Sequence, residues 1–121
     1  MQPPARPFKR AQRLRKRSEF DRVYRDARRF TDNLFTVLVR ANDGPHARLG
    51  LAISTRAAGN SVRRNRLKRL IRESFRQHQH LLPPVDIVVN ARAGVRAAEN
   101  AAIAKSLEKH WHTVIKKCAA S

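Results

Sequence analysis

The stretch from residue 59 to residue 76 constrains the fold of this chain more than any other. It reads GNSVRRNRLKRLIRESFR, and seven of its 18 residues are Arg or Lys. Leu67, Leu70, Ile71 and Phe75 recur at helical spacing, which gives a helix one apolar side for burial. With about 100° between successive residues, the opposite side and its shoulders carry amide and cationic side chains. They are Asn65, Arg66, Lys68, Arg69, Arg72 and Arg76.

The start of this helix is also cationic. Gly59 is followed by two good N-cap residues, so the helix is predicted to begin near Ser61, with Arg63 and Arg64 in its first turns. Cations at a helix N-terminus oppose the helix dipole at about 0.3–1 kcal/mol each, and a bound polyanion would remove that conflict. A solvated basic face is the alternative, but only Glu73 accompanies the seven cations. The pattern therefore favours a phosphate-binding helix.

The charge of the whole chain indicates the same kind of partner. It has 27 Lys and Arg against nine Asp and Glu, with a net charge of +18 and a pI near 11.8. Such a chain repels itself without anions, and nucleic acid is the partner that this charge predicts. No apolar run approaches the ~20 residues of a membrane-spanning helix, so we expect no membrane partner. Cys118 is the only cysteine, which excludes an internal disulfide and indicates a cytoplasmic protein.

The length of 121 residues and the hydrophobic content of 41% predict one folded domain. Residues 1–17 contain three prolines and seven cations, and we expect them to form a flexible basic arm. Residues 18–117 are predicted to form a single RNA-binding domain, and residues 118–121 a C-terminal tail.

Apolar periodicity predicts the elements of that domain. A helix is expected over 18–28, strands over 34–40, 48–54 and 85–89, and a last helix over 97–117. With the arginine-rich helix between the second and third strands, this order predicts an α+β fold, an α/β sandwich with helices packed on a mixed central sheet. The second strand alternates large residues with small ones, so the face that carries the small residues allows another part of the molecule or a ligand to approach closely.

Aromatic residues define a second candidate surface. Phe20 and Tyr24 share one face of the first helix, Phe35 begins the first strand, and Arg13 and Arg17 are near them in the sequence. Aromatic side chains among cations suit single-stranded RNA, because bases stack on the rings while the cations follow the phosphates. Burial in the core is the alternative, since apolar residues at helical spacing usually face inward.

The residues give no support for chemistry by the protein itself. The nine acids are scattered, and neither of the two His-x-His pairs has the spacing of a metal site on a helix. No glycine-rich phosphate loop or nucleophile motif is present. We therefore predict a binding protein with no catalytic and no metal-ligating residues.

The helix and the segments around it resemble a known family, the protein subunit of bacterial ribonuclease P. That family carries an Arg-Asn-Arg signature, matched here by Arg64, Asn65 and Arg66, and the match extends through 49–54, through 59–62 and on to Phe75. The resemblance implies that this helix docks on the catalytic RNA. The residues it assigns to that contact are Arg63, Arg64, Asn65, Arg66, Lys68, Arg69, Arg72 and Arg76.

The resemblance also implies a cleft for the single-stranded 5′ leader of precursor tRNA. The residues it assigns to the leader are Arg13, Arg17, Phe20, Tyr24, Phe35 and Arg56. One departure is visible after the second strand, where relatives often have a Lys-Lys pair and this chain has Thr55 and Arg56. A contact through Thr55 is therefore not expected.

The resemblance also implies a particular fold and a particular reaction. The resemblance implies a ribosomal-protein domain 2-like sandwich, usually with an added short strand, and a left-handed strand–helix–strand crossover, although about 98% of such crossovers are right-handed. It implies that the RNA subunit removes the leader by hydrolysis with Mg²⁺, bound mainly by RNA and substrate, with one protein per RNA. The alternatives are a ribosomal or RNA-chaperone protein of similar fold and, on net charge alone, a nucleoid DNA-binding protein.

Overall fold

A computed structural model describes residues 12–118, in which strands and helices follow the predicted order with additions. The strands are β1 (Arg28–Thr31), β2 (Phe35–Ala41), β3 (Arg48–Ala52) and β4 (Val85–Ala91). The α-helices are α1 (Arg17–Arg25), α2 (Thr55–Ala58), α3 (Ser61–His78) and α4 (Asn100–Cys118). Short 3₁₀ helices cover Gln79–Leu81 and Ala93–Arg96. The predicted α+β fold is confirmed.

The strands form a mixed sheet in the order β1-β2-β4-β3. β1 pairs with β2 and β2 with β4 in antiparallel fashion, whereas β3 and β4 are parallel. Val88 at the centre of β4 lies opposite Leu38 on one side and Gly50 on the other. α2 and α3 connect the two parallel strands, so a crossover joins them; its left-handedness stays a prediction.

Side-chain alternation along the strands divides the core into two layers. The odd-numbered residues of β2 and β4 face α3 and α4, where Phe35, Val37 and Ile87 are among the fully buried side chains. Leu38 and Val88 face the other way and pack with Val23 of α1 and with Leu14. The sheet is therefore covered on both faces, as a sandwich requires.

Contacts between α3 and α4 close the larger layer. The rings of Phe75 and Trp111 meet edge to face with centroids 5.9 Å apart. The Trp111 indole Nε1–H donates to Ser74 Oγ at 2.8 Å, which explains the serine within the apolar side of α3. Because both polar atoms are satisfied, this pair is buried without an unpaired donor.

Several predicted boundaries were wrong. Residues 12–17 pack on the domain instead of forming part of a flexible arm: Leu14 is buried, and its backbone N–H donates to the carbonyl oxygen of Leu49. Residues 1–11 and 119–121 lie outside the described residues. α1 ends at Arg25 because the chain turns into β1, and Cys118 ends α4 instead of beginning a tail.

The turn between β1 and β2 is fixed on α4 by Asp32. Its carboxylate accepts hydrogen bonds from the backbone N–H groups of Leu34 and Phe35, both at 2.8 Å, and from Ser106 Oγ at 2.5 Å. The Nε2 atom of the buried His110 lies 3.1 Å from the same carboxylate. Burial alone would raise the pKa of Asp32, but these hydrogen bonds and His110 lower it to about 2.

This lowered pKa predicts a loss of stability in acid. Because folding depresses the pKa of Asp32 from 3.8 to about 2, its contribution is present above pH 3.8 and is lost as the pH falls toward about 2. Allowing for partial exposure, we expect a loss of about 1–2 kcal/mol. Urea unfolding between about pH 5 and pH 2 measures it, and Asp32→Asn should flatten the profile. Asp43→Asn, in an exposed turn, is the control; an equal effect of both substitutions would contradict the assignment.

Candidate nucleic-acid interface

The position of α3 determines the direction in which its cations point. The side chain of Asn60 caps the helix, its Oδ1 accepting from the backbone N–H of Arg63 at 2.9 Å. Gly59 has a φ of 109°, a conformation that favours glycine and lets the chain turn sharply from α2 into α3. Leu67 and Ile71 are buried against the sheet and α4. The opposite side of the helix is therefore held outward.

The cationic side of α3 forms one wall of a groove of about 380 Å³, which we call the basic groove. The other wall comes from Arg13, in the segment that runs beside β3. The groove is lined by Arg13, Asn65, Arg69, Arg72, Glu73 and Arg76. Glu73 accepts from Arg76 at 2.5 Å, so one of these cations is already paired with an acid.

The basic groove continues into a recess of about 140 Å³ beside β3. Lys68 and Arg72 line this recess together with Arg13 and Arg15. Burial, followed by the charges of Arg64 and Arg72, lowers the pKa of Lys68. Burial and the charge of Arg13 lower the pKa of Arg72. These cations repel one another in the folded protein, so a polyanion bound here relieves an unfavourable interaction.

The predicted RNA-binding residues of α3 do not form one surface. Arg63 and Arg66 point to the other side of the helix and line a separate pocket with Arg96 and Asn100. Arg64 is half-buried, and its Nε atom is buried with no hydrogen-bond partner in the described part of the chain. The structure therefore divides seven of the eight predicted residues between two sides of α3, and Arg64 lines neither the basic groove nor the separate pocket.

A second surface surrounds Phe20 and Tyr24, where α1 crosses the sheet, and we call it the α1 surface. Phe20 packs directly over Gly50, where a Cβ atom would lie 2.8 Å from the ring. Tyr24 is 47% exposed, and its hydroxyl donates to Oδ1 of Asn90 in β4 at 3.1 Å. Burial, with the nearby Asp21 carboxylate, raises the pKa of Tyr24, so the phenol is neutral. The sequence predicted a close approach to the face of β3 that carries its small residues, and α1 makes that approach.

Phe35 does not belong to the α1 surface, and its assignment to the leader is corrected. Its side chain is 0% exposed and lies in the larger core, on the opposite face of the sheet from Phe20 and Tyr24. Successive strand residues alternate between faces, so Phe35 shares the face of Val37, whereas Leu38 lies beneath α1. A base cannot stack on a fully buried ring.

The cations predicted to follow the leader lie at different places. Arg17 is almost fully exposed on α1, with its Nε 4.0 Å from Asp21. Arg56 is exposed on α2, directly beyond the end of β3. Arg13 lines the basic groove with α3, so the structure groups it with the residues predicted to bind catalytic RNA.

Sequence reasoning missed three polar residues at these surfaces. Asn90 lies in β4 opposite Thr36 and Ala52, beneath Tyr24. The alternation of β4, continued one residue beyond the predicted end of the strand, could have identified it. Arg96 and Asn100 carry no such signal, because they reach α3 only through the packing of the 3₁₀ helix against α2 and of α4 against α3.

Residues 12–118 were also predicted to contain no metal-ligating residues and no membrane-spanning helix. No group of three or more His, Cys, Asp or Glu side chains among residues 12–118 could hold a metal ion. The rings of His78 and His112 meet edge to face with centroids 6.3 Å apart, whereas His110 is buried beside Asp32. Within the same range, no helix has the length and apolar character needed to cross a membrane.

Comparison with known sequences gives a consistent set of relatives. A family model described as Ribonuclease P matches residues 8–115. A ribonuclease P protein component from Thioalkalivibrio sulfidiphilus is 49% identical over 112 residues, which cover 93% of this chain and 93% of that protein. The protein of the same name from Methylococcus capsulatus is 44% identical over 114 residues, with 94% and 89% covered.

Solved structures agree with the sequence comparison. The RNase P protein of Staphylococcus aureus superposes with a TM-score of 0.80 at 33% identity, covering 91% of this chain and 97% of that one. The RNase P protein of Thermotoga maritima gives a TM-score of 0.76 at 29% identity, with 84% and 96% covered. The similarity therefore extends over almost the whole domain in both sequence and fold.

Proposed function

Because the chain belongs to the ribonuclease P protein component family, we propose that it binds the RNA subunit of ribonuclease P along the basic groove and holds the 5′ leader of precursor tRNA along the α1 surface. As a component of this endoribonuclease, it acts in processing of the tRNA 5′ end. The observation that carries the division of roles is the position of two different surfaces: the arginine-lined basic groove lies along α3, whereas the exposed ring of Tyr24 lies on α1.

The chemistry of the basic groove supports binding to folded RNA. Arg69 and Arg72 are exposed, and neither forms an ion pair with a described residue. Guanidinium groups donate paired hydrogen bonds to phosphate oxygens, and the amide of Asn65 adds donor and acceptor atoms between them. In the described part of the chain, four arginines and a single acid line this groove, which therefore attracts two RNA strands or a sharp backbone turn more strongly than a neutral ligand.

The α1 surface supports binding to single-stranded RNA. Tyr24 presents an exposed ring whose hydroxyl is held by Asn90, so a base can stack without first ordering the side chain. Arg17 and Arg56, both exposed, supply cations for the backbone of the strand. Stacking tolerates every base, and this surface would accept leaders of many sequences.

The protein contributes binding and leaves hydrolysis to the RNA subunit in this proposal. Mg²⁺ would be held mainly by the RNA and the substrate, since no described cluster of acids offers the oxygen ligands that the ion prefers. One protein would bind each RNA, and the complex would act in the cytoplasm. The protein would raise affinity for precursor tRNA and lower the Mg²⁺ concentration needed for cleavage by reducing repulsion between the two RNAs.

Cleavage of a precursor tRNA at limiting Mg²⁺ tests the proposed function. Bacterial ribonuclease P RNA is assayed with and without the protein, and product is mapped to the mature 5′ end. Stimulation there supports the proposal. Absence of stimulation, with a folded protein and an RNA that is active at high Mg²⁺, would contradict it and favour a ribosomal or RNA-chaperone role.

Replacing Tyr24 by alanine tests the leader contact. The holoenzyme should lose between about 5-fold and 150-fold of its preference for precursor over mature tRNA, because one stacked base contributes about 1–3 kcal/mol. Equilibrium binding of both tRNAs in Ca²⁺ measures the ratio. Tyr24→Phe keeps the ring and should retain most of the preference.

Leu81→Ala is the matched control, since Leu81 is also a large exposed apolar side chain, 51% exposed, but lies beyond the end of α3. It should leave the preference unchanged. A Tyr24→Ala holoenzyme that discriminates as well as the wild type would place the leader elsewhere.

A further inference from the structure

A cavity of about 180 Å³ opens on the side of α3 that faces away from the basic groove. Its floor is apolar and buried, and it is formed by Ala58 of α2, Leu67 of α3, Val95 of the 3₁₀ helix Ala93–Arg96 and Ile103 of α4. It is smaller than the ~300–1,000 Å³ pockets that enclose drug-sized ligands, and it is open on one side. Its size and lining suit the insertion of a single flat ring system.

The rim of this cavity is cationic. Arg63 and Arg66 come from α3 and Arg96 from the 3₁₀ helix, and no acidic residue between residues 12 and 118 lines the cavity. None of the three forms an ion pair with a described residue. Arg66 Nη2 donates to Oδ1 of Asn100, which holds that guanidinium at the mouth and leaves the amide group of Asn100 available as a donor.

The apolar floor and the amide donor suit the base of a nucleotide, and the cationic rim suits its phosphate. We propose that this cavity, the arginine-rimmed pocket, takes an unpaired nucleotide of the RNA subunit, with its base inserted and its phosphate on the rim. The inference rests on the proposed function, because it assumes that α3 docks on that RNA. It adds a contact with a base to the phosphate contacts of the basic groove.

Charge and shape argue for this occupant over the alternatives. A phosphate alone would use the arginines but leave the apolar floor empty, and an apolar peptide would bury three guanidinium groups without partners. A base fills the floor, and an arginine at the rim can stack on its face while another pairs with phosphate. Only an unstacked base can enter, so the pocket would select an unpaired position.

The test fills the pocket without changing its charge. Ala98 is half-buried and lines the cavity, so Ala98→Leu places extra carbons where the base would lie. The full-length protein is titrated against a bacterial ribonuclease P RNA transcript at several salt concentrations, and the RNA is probed with dimethyl sulfate and with a 2′-hydroxyl acylating reagent. Arg96→Ala, an exposed rim residue, gives a second variant that does not alter the core, and Lys105→Ala is its control on the outer side of α4.

Ala98→Leu should weaken RNA binding between about 5-fold and 150-fold with an unchanged salt dependence. One unpaired nucleotide protected by the wild-type protein should become reactive again, while other protections persist. Arg96→Ala should weaken binding and reduce the salt slope by about 0.7–0.9, because it removes a contact between the rim and the phosphate, whereas Lys105→Ala should do neither.

Two results would overturn the inference. If folded Ala98→Leu and Arg96→Ala both bind and protect the RNA as the wild type does, the pocket is not used. In that case, loss of binding on removal of Arg69 and Arg72 would still support the proposed function. If the wild-type protein itself does not bind the RNA, the proposed function fails along with the pocket.

Discussion

Replacing Arg69 and Arg72 together by alanine is expected to reduce the salt dependence of binding to ribonuclease P RNA. Each phosphate contact contributes about 0.7–0.9 to the slope of log K against log salt concentration, so two lost contacts should lower it by about 1.4–1.8. Both side chains are exposed in the basic groove. Affinity should fall most at low salt, where the released counterions contribute most. Filter binding between about 50 and 200 mM salt measures both quantities.

The stability of the same variant distinguishes a binding role from a structural one. Burial and neighbouring cations lower the pKa of Lys68 and Arg72, so charge on this side of α3 opposes folding. Urea unfolding of the Arg69→Ala/Arg72→Ala protein should therefore show no loss of stability. Lys105→Ala/Lys109→Ala removes the same charge from exposed positions of α4 and should leave the RNA salt slope unchanged. Equal slopes for the two variants would refute the assignment of the groove.

Hydrophobic periodicity was sufficient to predict the layered fold. The apolar residues of α3 recur at helical spacing, and Leu67, Ile71 and Phe75 are buried as predicted. β2 was predicted within one residue because its alternation is uninterrupted. β1 was not predicted from its residues, because Arg28 and Arg29 mask the strand pattern, and the strand depends on pairing with β2 and on the packing of Phe30 against the core. Such an edge strand depends on its neighbour more than on its own composition.

The N-terminal boundary of the domain was wrong for a different reason. Residues 12–17 are rich in cations, and composition alone predicted a flexible arm. One apolar residue changes that result, because Leu14 is buried between the sheet and Phe20. Its backbone N–H donates to the carbonyl of Leu49. Local composition could not indicate this contact, since it depends on the small side of β3 lying open beside the segment.

The candidate surfaces were predicted in part. The spacing of residues along α3 identified its cationic side, but the division into a groove and a pocket depends on which elements pack beside the helix. Arg13 reaches the groove from the N-terminal segment, and Arg96 reaches the pocket from beyond β4. Phe35 was assigned to the leader through the family resemblance, although its alternation with Val37 along the strand already indicated the core.

A chain of charged side chains connects the α1 surface to the centre of the sheet. Asp86 in β4 is 1% exposed and accepts two hydrogen bonds from Arg48 of β3, each at 2.8 Å. A third reaches it from Asn42 at 2.9 Å. Arg48 also donates a hydrogen bond to the carboxylate of Glu19 in α1 at 2.9 Å, and Glu19 accepts another from the backbone N–H of Lys16. The start of α1 is thus held on the sheet by one guanidinium.

Replacing Arg48 by alanine should cost about 3–5 kcal/mol, because it leaves the Asp86 carboxylate buried without its cation. Urea unfolding at neutral pH measures the loss. Arg40→Ala is a matched control: Arg40 lies opposite Asp86 from β2, but its ion pair with Asp26 is exposed and 3.9 Å long, so its removal should cost less than about 1 kcal/mol. Adding Asp86→Asn to Arg48→Ala removes the unpaired charge and should restore part of the stability. If the double variant is no more stable than Arg48→Ala, the cost comes from lost packing of the arginine and not from a stranded carboxylate.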